Sequence, residues 1–126
     1  MLDKHLFIYQ SFYDVSQIAK LDSDSFIPLD NTANLTPNLR EYAFFKKLYQ
    51  KHRDTNHYWG IVSYKWKDKT GLEAGEFKKW ILDNPGYDVY HIDPSLDVIQ
   101  FKNNWIQGDI CHQGMVDFCN HILPKI

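Results

Sequence analysis

Apolar residues fall in short bursts between polar turns, and the bursts switch between strand-like and helix-like spacing. Leu6-Phe7-Ile8-Tyr9 is a continuous β-prone run that predicts a buried strand. Asp14–Leu21 predicts a short helix with Asp14 as its cap, followed by the polar turn Asp22–Ser25 and a short strand or extended run over Phe26–Pro28. Leu29–Thr36 reads as a loop, because its Asn and Asp side chains bond their own backbone in turns. Thr36-Pro37 supplies an N-cap and a first-turn proline for a helix running to about His52. Leu39, Tyr42, Ala43, Phe45, Leu48 and Tyr49 recur along it at helical spacing.

Tyr58–Tyr64 predicts a second strand, Asp68–Gly71 a loop, and Glu73–Asp83 a helix with Phe77, Trp80 and Ile81 on one face. Asn84-Pro85-Gly86 stops that helix, and Asp88–Ile92 predicts a third strand. After Pro94 the pattern gives an irregular or short helical piece, a loop around Gly108 and a helix from about Gln113 to Leu123. Alternating strands and helices over residues 1–126 predict a single α/β domain with a mainly parallel sheet. Ligands of such sheets bind beyond the carboxyl ends of the strands, which singles out the loops after Tyr9, Tyr64 and Ile92.

Composition narrows the function classes. The chain has 126 residues, enough to bury one core, and a formal net charge of −2 with no block of like charges. That excludes a clustered basic face for a nucleic-acid backbone. Lys65, Lys67 and Lys69 alternate along what reads as an extended stretch, giving either a small basic edge or a solvated strand face. No window approaches the roughly 18 apolar residues of a membrane span, and MLDKHLFIYQ lacks a signal peptide's apolar core. Cys111 and Cys119 would stand about 12 Å apart along a helix, beyond disulfide reach. Two reduced cysteines fit a cytoplasmic protein. Aromatic residues make up 16% of the chain, more than a minimal core needs, so some rings reach the surface or a ligand.

No phosphate-binding glycine loop, nucleophile elbow or paired-histidine zinc motif is present. Asp22-Ser-Asp24 has the spacing of two carboxylates that share one Mg²⁺ or Mn²⁺, and equally that of an ordinary polar turn. Asp30-Asn31 could hold a ribose or sugar hydroxyl, or serve only as loop and cap. Arg40-Glu41 could orient a phosphate through the guanidinium fork, or form a plain surface pair. Functional side chains are densest in Asn104–Gly114. There Trp105 can stack on a sugar, Gln107 and Asp109 can bond hydroxyls, and His112 can act as base or remain structural.

Several stretches, in order, resemble a family of bacterial proteins of surface-polysaccharide synthesis related to GT-A glycosyltransferases. They are Ile8–Tyr13, Phe26–Thr32, Leu39–Tyr42, Tyr58–Lys65, Lys69–Gly71, Asn84–Tyr90 and Trp105–Gly108 with His112. The resemblance implies a Rossmann-like three-layer arrangement, standing alone or as the N-terminal portion of a longer architecture. It implies a nucleotide-sugar or glycan partner and usually Mn²⁺ or Mg²⁺, here at Asp22 and Asp24. Donor contacts would fall on Asp30, Asn31, Arg40 and Glu41, with Tyr64 and Lys65 also binding substrate. Trp105 and Gln107 would meet the acceptor, and Asp109 and His112 would carry catalysis. The alternative is a non-enzymatic module that docks a protein partner of the same pathway through its aromatic surface.

Overall fold

Three parallel strands organise the part of the chain that the computed structural model describes, residues 5–33 and 42–92 with Gly114 and Asp117. The chain divides into two compact units, Met1–Tyr90 and His91–Ile126, and the fold described is that of the first. In sequence order it holds β1 (Leu6–Phe12), a 3₁₀ helix (Val15–Lys20), β2 (Ile27–Asp30), α1 (Tyr42–His52), β3 (Tyr58–Ser63), α2 (Trp66–Thr70) and α3 (Ala74–Asp83). The sheet order is β2-β1-β3, with Tyr9 opposite Ile27 on one side and Ile61 on the other. The result is a mixed α/β unit on a small parallel sheet, as the alternating pattern predicts.

β1 runs three residues beyond its apolar burst. Gln10 and Ser11 look like the start of a loop, yet both are buried because their polar atoms find partners. Gln10 accepts from the Asp22 amide at 2.8 Å and donates to the Ser63 carbonyl at 3.4 Å, and the Ser11 hydroxyl donates to the Val62 carbonyl at 3.4 Å. A parallel strand between two neighbours is covered on both faces, which is why buried side chains follow one another along β1 instead of alternating. Pro28 is tolerated because β2 pairs on one side only.

Asp14 caps the segment after β1 as expected, its carboxylate accepting from the Ser16 amide and hydroxyl, but the turns are 3₁₀ rather than α. In α1 the inward stripe is Leu48 and His52 with half-buried Phe44, spaced by four. The aromatic stripe Tyr42, Phe45 and Tyr49 is exposed instead, and Phe45 reaches back only as far as the Trp59 ring at 6.4 Å. Leu39 and the start of this helix lie outside the described residues.

The loop expected at Asp68–Gly71 is the end of α2. Lys67 and Lys69 therefore sit on a helix and not along a strand edge. Bonds from the Lys69 amide to the Lys65 carbonyl and from the Gly71 amide to the Lys67 carbonyl close its turns. Gly71 ends it at φ +68, with open space where a Cβ would stand. Gly71→Ala is therefore expected to cost about 1 kcal/mol, purely as left-handed strain. Urea denaturation checks this, and a loss near zero would mean the turn relaxes.

Trp66 is pinned by its indole N–H to the Leu72 carbonyl at 3.0 Å, and meets Phe26 edge-on and Phe77 at 4.9 Å between centroids. Phe77 and Ile81 of α3 are buried with them, while Trp80 is half-exposed and stacks on Phe77. The strand expected at Asp88–Ile92 does not form. Gly86 turns the chain at φ +103, the Tyr90 hydroxyl donates to the Asn84 carbonyl at 2.6 Å, and its ring packs on Tyr58, Trp80 and Tyr87. Tyr90 is thus held against the end of α3 and not paired into the sheet. The features expected after Pro94 lie outside the described residues, save Gly114 and Asp117. No helix among the described residues is long and apolar enough to cross a membrane.

Candidate functional site

The carboxyl ends of the three strands form the candidate site. β1 leads to β2 on one side and β2 leads back across to β3 on the other, so the chain reverses direction around β1. In open parallel sheets, ligands enter at such a reversal. The sheet bonding continues one residue past the strands, with the Asn31 amide on the Phe12 carbonyl (2.8 Å) and the Tyr64 amide on the Ser11 carbonyl (2.9 Å). These bonds fix Asn31 and Tyr64 relative to the end of β1.

Tyr13, the residue after β1, meets Tyr64, the residue after β3. Their hydroxyls are 3.4 Å apart and the rings pack edge-on at 5.5 Å. The Gln17 side chain accepts from the Tyr13 amide at 3.0 Å, which steadies that end. The Lys65 ammonium lies 5.6 Å from the centre of the Tyr64 ring, and the Lys65 amide is held by the Ser63 hydroxyl at 3.1 Å. Lys20, at the end of the 3₁₀ helix, pairs with Asp68 of α2 at 3.0 Å across the same end.

The two phenols are pushed in opposite directions. The hydrogen bond shared with Tyr13 draws the Tyr64 hydroxyl below its ordinary range, helped by Lys65 and Lys20, while the same contact holds Tyr13 above its own. Asp30 ends β2, and its carboxylate accepts from the Thr32 amide and hydroxyl, both at 2.8 Å, which lowers its pKa. Bonds from the Ser16 hydroxyl and amide do the same for Asp14. Both carboxylates are charged at neutral pH and accept hydrogen bonds only.

Of the expected site residues, Asp30, Asn31, Tyr64 and Lys65 come to this one edge. Asp30 and Tyr64 stand on either side of β1, about 10 Å apart at two strand spacings. Tyr13, which lies between them, and Gln17, which holds it, are the contributors that the sequence pattern did not single out. Their signal was hidden by the unexpected length of β1.

Asp22 and Asp24 are not part of this cluster. Their turn enters β2, whereas Asp30 leaves it, so the length of the strand separates them, about 13 Å. They line a separate hollow of about 310 Å³ with Ser25, Glu73 and Gly75. Glu73 is committed to Lys67, and the Asp22 amide to Gln10. Among the described residues no group of three or more His, Cys, Asp or Glu could hold a metal ion. Asp22 and Asp24 alone would hold Mn²⁺ or Mg²⁺ only with a substrate's phosphates and water completing the shell. Arg40, Glu41, Trp105, Gln107, Asp109 and His112 lie outside the described residues.

Comparison with family models, with curated proteins and with solved structures gives no match to this chain.

Proposed function

We propose that this chain is a glycosyltransferase-like domain of bacterial surface-glycan biosynthesis, cytoplasmic and Rossmann-like in its layering, that binds a nucleotide-activated sugar at the carboxyl edge of its sheet. The observation that supports this reading is the meeting of Tyr13, Tyr64 and Lys65 with Asp30 and Asn31 where the strand order reverses. Each member suits one part of such a ligand. The tyrosine rings offer a face for a base or sugar, the lysine offsets phosphate charge, and the Asp30 carboxylate accepts from ribose or sugar hydroxyls. In this reading the described residues supply the binding contacts. The family resemblance alone assigns glycosyl transfer to Asp109 and His112, and further donor and acceptor contacts to Arg40, Glu41, Trp105 and Gln107.

A thermal-shift series with UDP-, GDP-, CMP- and dTDP-sugars, each with and without Mn²⁺, tests the proposal. A ligand at a hundred times its Kd stabilises the folded state by about 2.7 kcal/mol, so one nucleotide class is expected to raise the melting temperature by several degrees. Lys65→Ala and Asp30→Asn should each weaken that ligand about tenfold, the loss of one hydrogen bond to a charged group. Absence of a shift at millimolar ligand, or equal shifts in the variants, would remove the site.

The exposed stripe of Tyr42, Phe45 and Tyr49 supports the second reading, a protein-docking module. That reading gains if every nucleotide-sugar fails.

A further inference from the structure

A second polar cluster lies at the other end of the sheet and belongs to no ligand site. His52, in the last turn of α1, is 3% exposed. Its Nε2 is 3.1 Å from the Tyr9 hydroxyl, and its Nδ1 is 3.1 Å from Nδ1 of His57, the residue that leads into β3. The Lys51 ammonium donates to the same Tyr9 oxygen at 3.1 Å. The His52 carbonyl also accepts from the Thr55 amide at 3.0 Å and hydroxyl at 2.6 Å, so this residue anchors the whole α1–β3 connection.

The donors fix a direction. An ammonium group can only donate, so the Tyr9 oxygen accepts from Lys51. The Tyr9 hydroxyl hydrogen, buried, then goes to His52 Nε2 rather than being left without a partner. His52 therefore carries its hydrogen on Nδ1 and donates to His57 Nδ1, which leaves the His57 hydrogen on Nε2. Each hydrogen in this relay has one acceptor, and both accepting ring nitrogens are used. A further proton on His57 Nδ1 would face the N–H of His52, and one on His52 Nε2 would face the O–H of Tyr9.

We infer that Lys51, Tyr9, His52 and His57 form an acid-sensitive latch, closed while both imidazoles are neutral, which releases the end of α1 from the sheet when the pair takes up a proton. None of the described residues whose rings or side chains contact His52 carries a negative charge. His52 meets Phe7 and Tyr9 from β1, Lys51 from its own helix, His57 from the connection, and from β3 Trp59, stacked at 19°. His5 packs on the far ring of the pair, His57, and Arg53 and Asp54 pair with each other. The negative end of α1 favours a charged ring, but burial outweighs it, and repulsion from Lys51 and His57 acts in the same direction as burial.

The sign follows from linkage. The folded His52 binds a proton less readily than the ordinary imidazole value of 6.5. As pH falls below that value the open form takes up the proton first, so the closed latch loses stability until the lowered folded pKa is reached. Above about 6.5 the full stability is present.

Hydrogen exchange of the amides of residues 48–57, corrected for intrinsic rates, reads the opening directly. In the wild type the opening constant should grow below pH 6.5 with a slope approaching about tenfold per pH unit, the signature of one proton. His52→Gln should lose most of that slope. Parallel profiles for the two proteins would overturn the latch. If His52→Gln fails to fold, ring-nitrogen NMR of the wild type decides. The latch requires hydrogen on Nδ1 in His52 and on Nε2 in His57 at pH 8. The opposite tautomers, or a protonated pair with residues 48–57 still protected, would overturn it.

Discussion

Trp66→Ala is expected to remove about 4 kcal/mol of stability, the largest loss among the substitutions considered. The side chain is 6% exposed and bridges Phe26 to Phe77, so its deletion removes apolar burial and leaves a cavity between two rings. Trp66 also holds the Leu72 carbonyl, and with it the link from α2 to α3. Trp66→Phe separates the contributions, since it keeps most of the ring contact and loses the bond, for about 1 kcal/mol plus a smaller void. Urea titration with an unchanged slope reports both. If Trp66→Ala costs no more than Trp66→Phe, the three rings are not acting as a core.

Gln10→Leu is expected to cost about 2–3 kcal/mol although it places an apolar residue at a buried position. Gln10 is 1% exposed, and its amide spans from the turn before β2 to the end of β3. Leucine fills similar space but leaves the Asp22 amide without its acceptor, and a buried unpaired donor costs about 1–3 kcal/mol. The longer bond to the Ser63 carbonyl adds less. The same titration reads this loss, and a stability equal to wild type would mean that water reaches the Asp22 amide. Ligand binding at the strand ends should also suffer in Gln10→Leu, since Ser63 directly precedes Tyr64.

What the sequence made legible follows from these particulars. Contiguous apolar runs mark the strands at Leu6 and Tyr58; β1 is buried on both faces and needs apolar side chains in succession, whereas β3 is half-buried along its length. Capping chemistry marks Asp14, and breaker residues mark the end of α3 at Asn84. Misreadings came where one side chain's tertiary partner decides the outcome. Gln10 and Ser11 are strand residues only because Asp22, Val62 and Ser63 satisfy them. Tyr90 fits a strand pattern, but its hydroxyl is captured by Asn84. In α1 the aromatic stripe looked like the core face, whereas a histidine one turn beyond Leu48 occupies it. At the site, Asp30 and Asn31 could be named from their place ahead of the helix that Thr36-Pro37 starts, and Tyr64 and Lys65 from the end of a strand. Tyr13 is not set apart from its neighbours in the segment after Tyr9, because nothing in the pattern shows that β1 runs on to Phe12.

The strand order also bears on how the chain is made. β1 is the middle of the sheet, yet it leaves the ribosome before both of its neighbours. β2 follows soon after, across the 3₁₀ turn, and covers one edge early. The other edge waits until Ser63 has been synthesised, and closing that longer loop sets the slower step. During that interval the most apolar strand of the unit has one row of open hydrogen-bonding groups. Nascent chains that stall between α1 and β3 are therefore the ones most exposed to mispairing with each other, and the ones on which a chaperone would act.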